Sequence, residues 1–88
     1  MKSAEDRIAE IRTRLESAFD PYELAIQDDS HLHVGHAGAR SGKGHFTVRI
    51  RASSFEGQAP LARHRAVYAA LGQLMDTDIH ALAIDAAP

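Results

Sequence analysis

Between His45 and Ala52 the chain alternates strictly: Phe46, Val48 and Ile50 fall on one side, Thr47, Arg49 and Arg51 on the other. A strand with this pattern needs one face buried and the other left to water. In 88 residues there is room for one domain, residues 1–88, and one modest core. The other apolar segments must therefore pack on the same side of the same sheet.

Those segments can be placed in order. Ser3 precedes Asp6 by three residues, a helix start with an acidic first turn. Ile8, Ile11, Leu15 and Ala18 follow at helical spacing, and Asp20-Pro21 closes the helix, because proline disfavours helical geometry in the residue before it. Tyr22 to Gln27 reads as a strand with Leu24 and Ile26 on one face. Asp28 to Gly44 is a long loop containing four glycines, of a length usually functional or disordered. Ser53 to Gly57 is a turn. Pro60 suits the first turn of a second helix. Leu61, His64, Tyr68, Leu71 and Met75 run down one side of it, with Val67 and Leu74 beside them, and the stripe Leu61, Tyr68, Leu71 and Met75 reads as core at helical spacing. Ile79 to Ala86 is a last strand with Leu82 and Ile84 on the large-residue face.

The order helix, strand, strand, helix, strand predicts an α+β fold: a two-layer α-β-β-α-β sandwich. Its first two strands pair antiparallel, and the strand-helix-strand unit makes a right-handed parallel crossover. The result is a three-stranded mixed sheet with both helices on one face.

Chemistry is concentrated in histidine. There are six histidines and no cysteine, so any soft-metal site must use imidazole or borrow sulfur from a partner. His31, His33 and His36 share the glycine-rich loop, His64 lies within Arg63-His64-Arg65, and His80 opens the last strand. The formal charge of −2 would become +4 if all six were protonated, and a near-neutral balance argues against bulk nucleic-acid binding. Lack of cysteine excludes a disulfide framework and fits a reducing compartment. No apolar run approaches the ~20 residues of a membrane span, and Met1 to Asp6 carries no secretory h-region. The expectation is a soluble cytoplasmic protein.

Taken by itself, His80 reads as a strand-end histidine satisfied by a backbone carbonyl. His45 reads as a structural edge residue, His31 as solvated, and His64 as structural or a partner contact. Arg63 and Arg65 read as a solvated helix face. No nucleophile, base and orienter come together around Ser30, Ser53 or Ser54, so an enzyme is not expected. Two further readings are open: a zinc or copper buffer built on His31, His33 and His36, and phosphate contacts from Arg49, Arg51, Arg63 and Arg65.

Several blocks occur together and in order. They are Asp28-Asp29-Ser30-x-x-His33, His45-Phe46, Phe55-x-Gly57, Arg63-His64-Arg65-x-Val67-Tyr68-x-x-Leu71, and Ile79-His80-Ala81-Leu82-x-Ile84. In combination they resemble the BolA family over nearly the whole chain. The resemblance implies a topology like that of a class II KH domain without its Gly-x-x-Gly loop. Gly35 and Gly38, spaced by two residues, lie outside any helix-turn-helix setting.

The resemblance also implies a monothiol glutaredoxin partner, with a [2Fe-2S] cluster held between the two proteins and glutathione. His80 corresponds to the family's ligand histidine. The loop ligand corresponds to His33 by distance from the Asp-x-Ser motif, and to His36 if His45-Phe46 is the anchor. Arg63, His64 and Arg65 are candidate partner contacts, because guanidinium suits planar pairing with carboxylates. The sequence departs from the family in carrying Asp28-Asp29 where Asp-Glu is usual, and in a longer, three-histidine loop. The resemblance also leaves open a DNA-binding regulator. A single histidine on a strand and another on a loop make a half-site, so the free chain should bind iron poorly. The open polar sheet face offers no obvious self-association patch, so a free monomer is expected.

Overall fold

Strand β2 (Gly44–Arg51) is the middle of a three-stranded sheet of order β1-β2-β3 in the computed structural model, which describes residues 2–30 and 42–88. It is flanked by β1 (Glu23–Asp28), paired antiparallel, and β3 (Ile79–Ala87), paired parallel. Before β1 comes α1 (Ala4–Phe19); between β2 and β3 lie a 3-10 turn (Ser53–Phe55), α2 (Pro60–Leu71) and the single turn α3 (Leu74–Thr77). This is the expected α+β arrangement. The core collects Phe46, Val48 and Ile50 of β2, Ile11 and Leu15 of α1, Val67 and Leu71 of α2, Leu74 and Ile79. All are buried, so both helices serve one sheet face. Phe55 is fully buried and its ring packs on Phe19 at 4.8 Å between centroids. Gly57, at φ +79°, then takes a left-handed turn that leads the chain into α2.

The start of α1 is as the sequence predicts: Ser3 and Asp6 form a reciprocal capping box. Its inner face differs slightly, since Ala18 is exposed and Phe19 packs on the core instead. The second helix departs further. Leu61 is 61% exposed and Tyr68 41% exposed, so they do not belong to the core stripe. The helix is rotated so that Val67 and Leu71 face inward, with Ala66 and Ala70 beside them. Small alanines let the helix approach the sheet closely. The helix also stops before Met75: Gly72, at φ +53° and ψ −125°, breaks it into α2 and α3.

The other sheet face carries a ladder of charges across all three strands. Arg49 of β2 pairs with Glu23 of β1 at 2.6 Å and with Asp85 of β3 at 3.4 Å, while Arg51 also pairs with Asp85 at 3.1 Å. The hydrogen-bonded Arg51 guanidinium holds the Asp85 carboxyl below the usual carboxylate range.

One carboxylate ties the amino terminus to the beginning of β3. Asp78 is 3% exposed. It accepts hydrogen bonds from Thr77 Oγ1, from Lys2 Nζ at 3.2 Å and from Arg7 Nε at 3.2 Å. Arg7 also donates from its Nη2 to the carbonyl of Gly42 at 2.7 Å, and the amide of Gly44 donates to the Asp78 carbonyl at 2.8 Å. Burial alone would push the Asp78 carboxyl up; the hydrogen bonds from Thr77, Lys2 and Arg7 together hold it below its ordinary value. The folded state therefore binds fewer protons at this group than the unfolded chain. Its contribution to stability is present above the unfolded pKa and is lost as pH falls through the folded one.

Two outcomes are expected from chemical denaturation. Asp78→Asn should cost about 1–3 kcal/mol at neutral pH. The stability of the unaltered protein should also fall more than that of the variant between neutrality and pH ~3, below the usual carboxylate pKa; parallel acid profiles would refute this role. Phe55→Ala should cost about 3–5 kcal/mol, whereas Leu61→Ala should stay within about 0.5 kcal/mol. Equal losses in these two variants would return Leu61 to the core.

Candidate histidine site

A regular strand cannot satisfy the first residues of β3. Under strict alternation Ile79 would face away from Leu82 and Ile84, yet Ile79 is fully buried and Leu82 and Ile84 pack on the same core. The strand resolves this with a bulge. Gly44 of β2 is opposite Ile79, but His45 is opposite Ala81, so His80 is the additional residue and has no facing partner on β2. Bulges re-aim a side chain while the strand continues in register. Here the bulge frees His80 from the inward face its spacing from Leu82 would dictate, and leaves it exposed.

The β2 side of the bulge is equally specific. A Cβ on Gly44 would lie 2.5 Å from the Phe46 ring, so this position is closed to larger residues unless that ring moves. The His45 amide donates to Ser30 Oγ at 3.1 Å, and its carbonyl accepts from the Asp29 amide at 2.7 Å. Asp28 caps the same turn by accepting from the Ser30 amide at 2.8 Å. Asp29 accepts from the Thr47 hydroxyl through a short hydrogen bond and from Gln27 Nε2 at 2.8 Å. The Asp28-Asp29-Ser30 motif thus fastens the end of β1 to the start of β2.

His45 is only 5% exposed and belongs to the central strand, so it is not the edge residue its place before Phe46 suggests. Its ring stands 5.1 Å from that of His80, centroid to centroid, at an interplanar angle of 56°. Beside the pair is a cleft of about 270 Å³ lined by Asp29, His45, Phe46 and Ala81 to Ala83. Small side chains at Ala81 and Ala83 keep it open. Among the described residues no three histidine, aspartate or glutamate side chains converge as a metal site. His31, His33 and His36 lie outside the described residues.

The structure brings His45 to His80 and does not bring the arginines there. Arg63 reaches from α2 toward the Ala86 carbonyl at 3.4 Å, near the far end of β3. Ala86 lies six residue steps along the strand from His80, about 20 Å at ~3.3 Å per residue. His64 is half-buried and Arg65 exposed. Arg65 lines a second, larger hollow of about 720 Å³ with Gln58, Ala59, Leu61, Ala62 and Ala66. That hollow is shallow and holds no cluster of reactive groups, so the histidine end is the stronger candidate for chemistry. The pairing of His45 with His80 and the Asp78 anchor were absent from the sequence reading. The three-residue spacing of Ile79 and Leu82 is the signal that carries the bulge.

Known proteins align with this architecture. A family model described as "BolA-like protein" matches residues 15–88. BolA-like protein 1 of Homo sapiens is 45% identical over 78 residues, covering 89% of this chain and 55% of the relative. Protein BOLA1, chloroplastic, of Arabidopsis thaliana is 41% identical over 83 residues, covering 91% of this chain and 52% of the relative. The chain thus spans about half the length of these two relatives. Among solved structures, the BolA domain of SufE1 from Arabidopsis thaliana superimposes with a TM-score of 0.81 at 34% identity, covering 100% of this chain and 96% of that one. No helix among the described residues is long and apolar enough to cross a membrane. With its matched segment running from the first helix to the final residue, this chain belongs to the BolA family.

Proposed function

We propose that this chain is a non-enzymatic partner of a monothiol glutaredoxin and supplies histidine to a [2Fe-2S] cluster shared with that protein and glutathione, in iron-sulfur trafficking or iron sensing. The observation that carries this reading is the bulge that turns His80 outward beside His45, with no third ligand converging among the described residues. Such a half-site suits a cargo whose remaining ligands come from another molecule. The occurrence of a BolA domain within a SufE-like protein of Arabidopsis thaliana adds support for a place in iron-sulfur work.

On this reading His80 is one ligand and His33 the loop ligand, with His36 as its alternative. Histidine ligation would raise the cluster's potential relative to all-cysteine ligation. It also makes cluster retention fall in acid, because only neutral imidazole binds metal. What the chain itself does is hold one imidazole at a fixed strand end: Asp78, two residues before it, is anchored by Lys2 and Arg7, and the bulge turns the imidazole out of the core. Arg63, a candidate contact for acidic groups with Arg65, would meet a partner extending about 20 Å along β3 from His80. The rival reading, DNA binding, loses two of its four arginines, since Arg49 and Arg51 are paired with Glu23 and Asp85.

The decisive test is anaerobic reconstitution with a monothiol glutaredoxin, glutathione, iron and sulfide, followed by visible circular dichroism. A cluster spectrum different from that of glutaredoxin alone is expected, abolished in His80→Ala and weakened in His33→Ala. An unchanged spectrum with no complex formed would overturn the proposal. Salt-sensitive DNA retention under the same conditions would then put the regulator reading in its place.

A further inference from the structure

His80 faces a mechanical problem that the strand itself does not solve. A bulged residue lies outside the ladder, so neighbouring pleats do not dictate the direction of its side chain. It is also exposed, and an exposed side chain exchanges rotamers on the ps–ns timescale unless something holds it. An imidazole that must meet an incoming metal along one line loses affinity when its ring is free to turn.

The ring of His45 is the group in place to hold it. Their centroids are 5.1 Å apart and tilted by 56°, within the range in which aromatic rings pack favourably. His45 is itself firmly placed. It sits on the central strand, its ring is almost wholly buried, and its backbone is bonded on both sides by Ser30 and Asp29. The residue opposite it on β3 is Ala81, too small to intervene between the two rings.

We propose that His45 is a positioning residue for His80: a buried ring that fixes the direction of the exposed imidazole and is not itself a ligand. The inference rests on the cluster-sharing reading only for its consequence; the ring contact itself belongs to the free protein. It predicts that a flat ring at position 45 is what holds His80. His45→Phe should keep the function that His45→Ala loses.

Two measurements test this. In the free protein at one fixed pH, the His80 imidazole is followed by ¹H–¹³C correlation spectra and side-chain three-bond couplings. The unaltered protein should show a single His80 rotamer with ring-current-displaced shifts. His45→Ala should average both toward values for a free histidine, and His45→Phe should preserve the single rotamer. In the reconstituted glutaredoxin complex, His45→Ala should weaken cluster retention about 10-fold and change its visible circular dichroism, with recovery in His45→Phe.

Unchanged His80 signals in His45→Ala would overturn the inference. So would a complex in which His45→Phe loses the histidine signature as completely as His80→Ala, since that would make His45 a ligand. If His45→Ala fails to fold, the His45→Phe spectra and the couplings in the unaltered protein still decide. A complex of the unaltered protein with no histidine signature would instead defeat the cluster-sharing reading, leaving the spectra of the free protein to judge the ring contact separately.

Discussion

Every packed layer of this protein depends on β2 having one apolar face. Phe46, Val48 and Ile50 form the floor on which α1, α2 and the buried ends of the other strands rest. Because the opposite row is Thr47, Arg49 and Arg51, the helices have only one side to occupy. The opposite surface is instead stitched by ion pairs from Glu23 through Arg49 to Asp85. Such exposed pairs contribute little to stability individually. Their effect here is to occupy the cations on an open sheet face.

The same floor explains the odd start of β3. Ile79 is drawn into the core beneath the end of α3, and Leu82 and Ile84 are drawn in further along. Three inward residues at that spacing require one extra residue in between, and the extra residue is His80. The exposure of the histidine is thus a by-product of core packing. Asp78, on the other side of Ile79, secures the strand's beginning through Thr77, Lys2 and Arg7.

Much of this was legible in the residues. The capping box at Ser3 and Asp6, the proline stop after α1 and the alternation of β2 are local signals, and local signals survive folding. The errors arose where two neighbouring faces of a helix are both apolar. Leu61 and Tyr68 are larger than Ala66 and Ala70, so size pointed to the wrong positions there, while Leu71 and Met75 do pack on the core; close approach of the helix favoured the small residues. Gly72 carries a stop signal that the continuing apolar spacing masked. The anchor between Asp78 and the first helix joins residues more than seventy positions apart, and no window of sequence contains both. Nor does any local pattern bring His45 to His80. That contact needs both the parallel pairing of β2 with β3 and the bulge within it.

The Arg7 guanidinium, shared between Asp78 and the carbonyl of Gly42, gives the amino terminus an influence out of proportion to its position. Through one side chain, the first two turns of α1 hold both the strand that begins beside His80 and the last residues before β2. Trimming the chain to its eighth residue would remove both Lys2 and Arg7 from a buried carboxylate and release the Gly42 carbonyl. An affinity tag whose charge competes for Lys2 would perturb the same node. The front of α1 is therefore joined through Arg7 to the end of the sheet that carries His80, and a chain shortened there differs at that end as well.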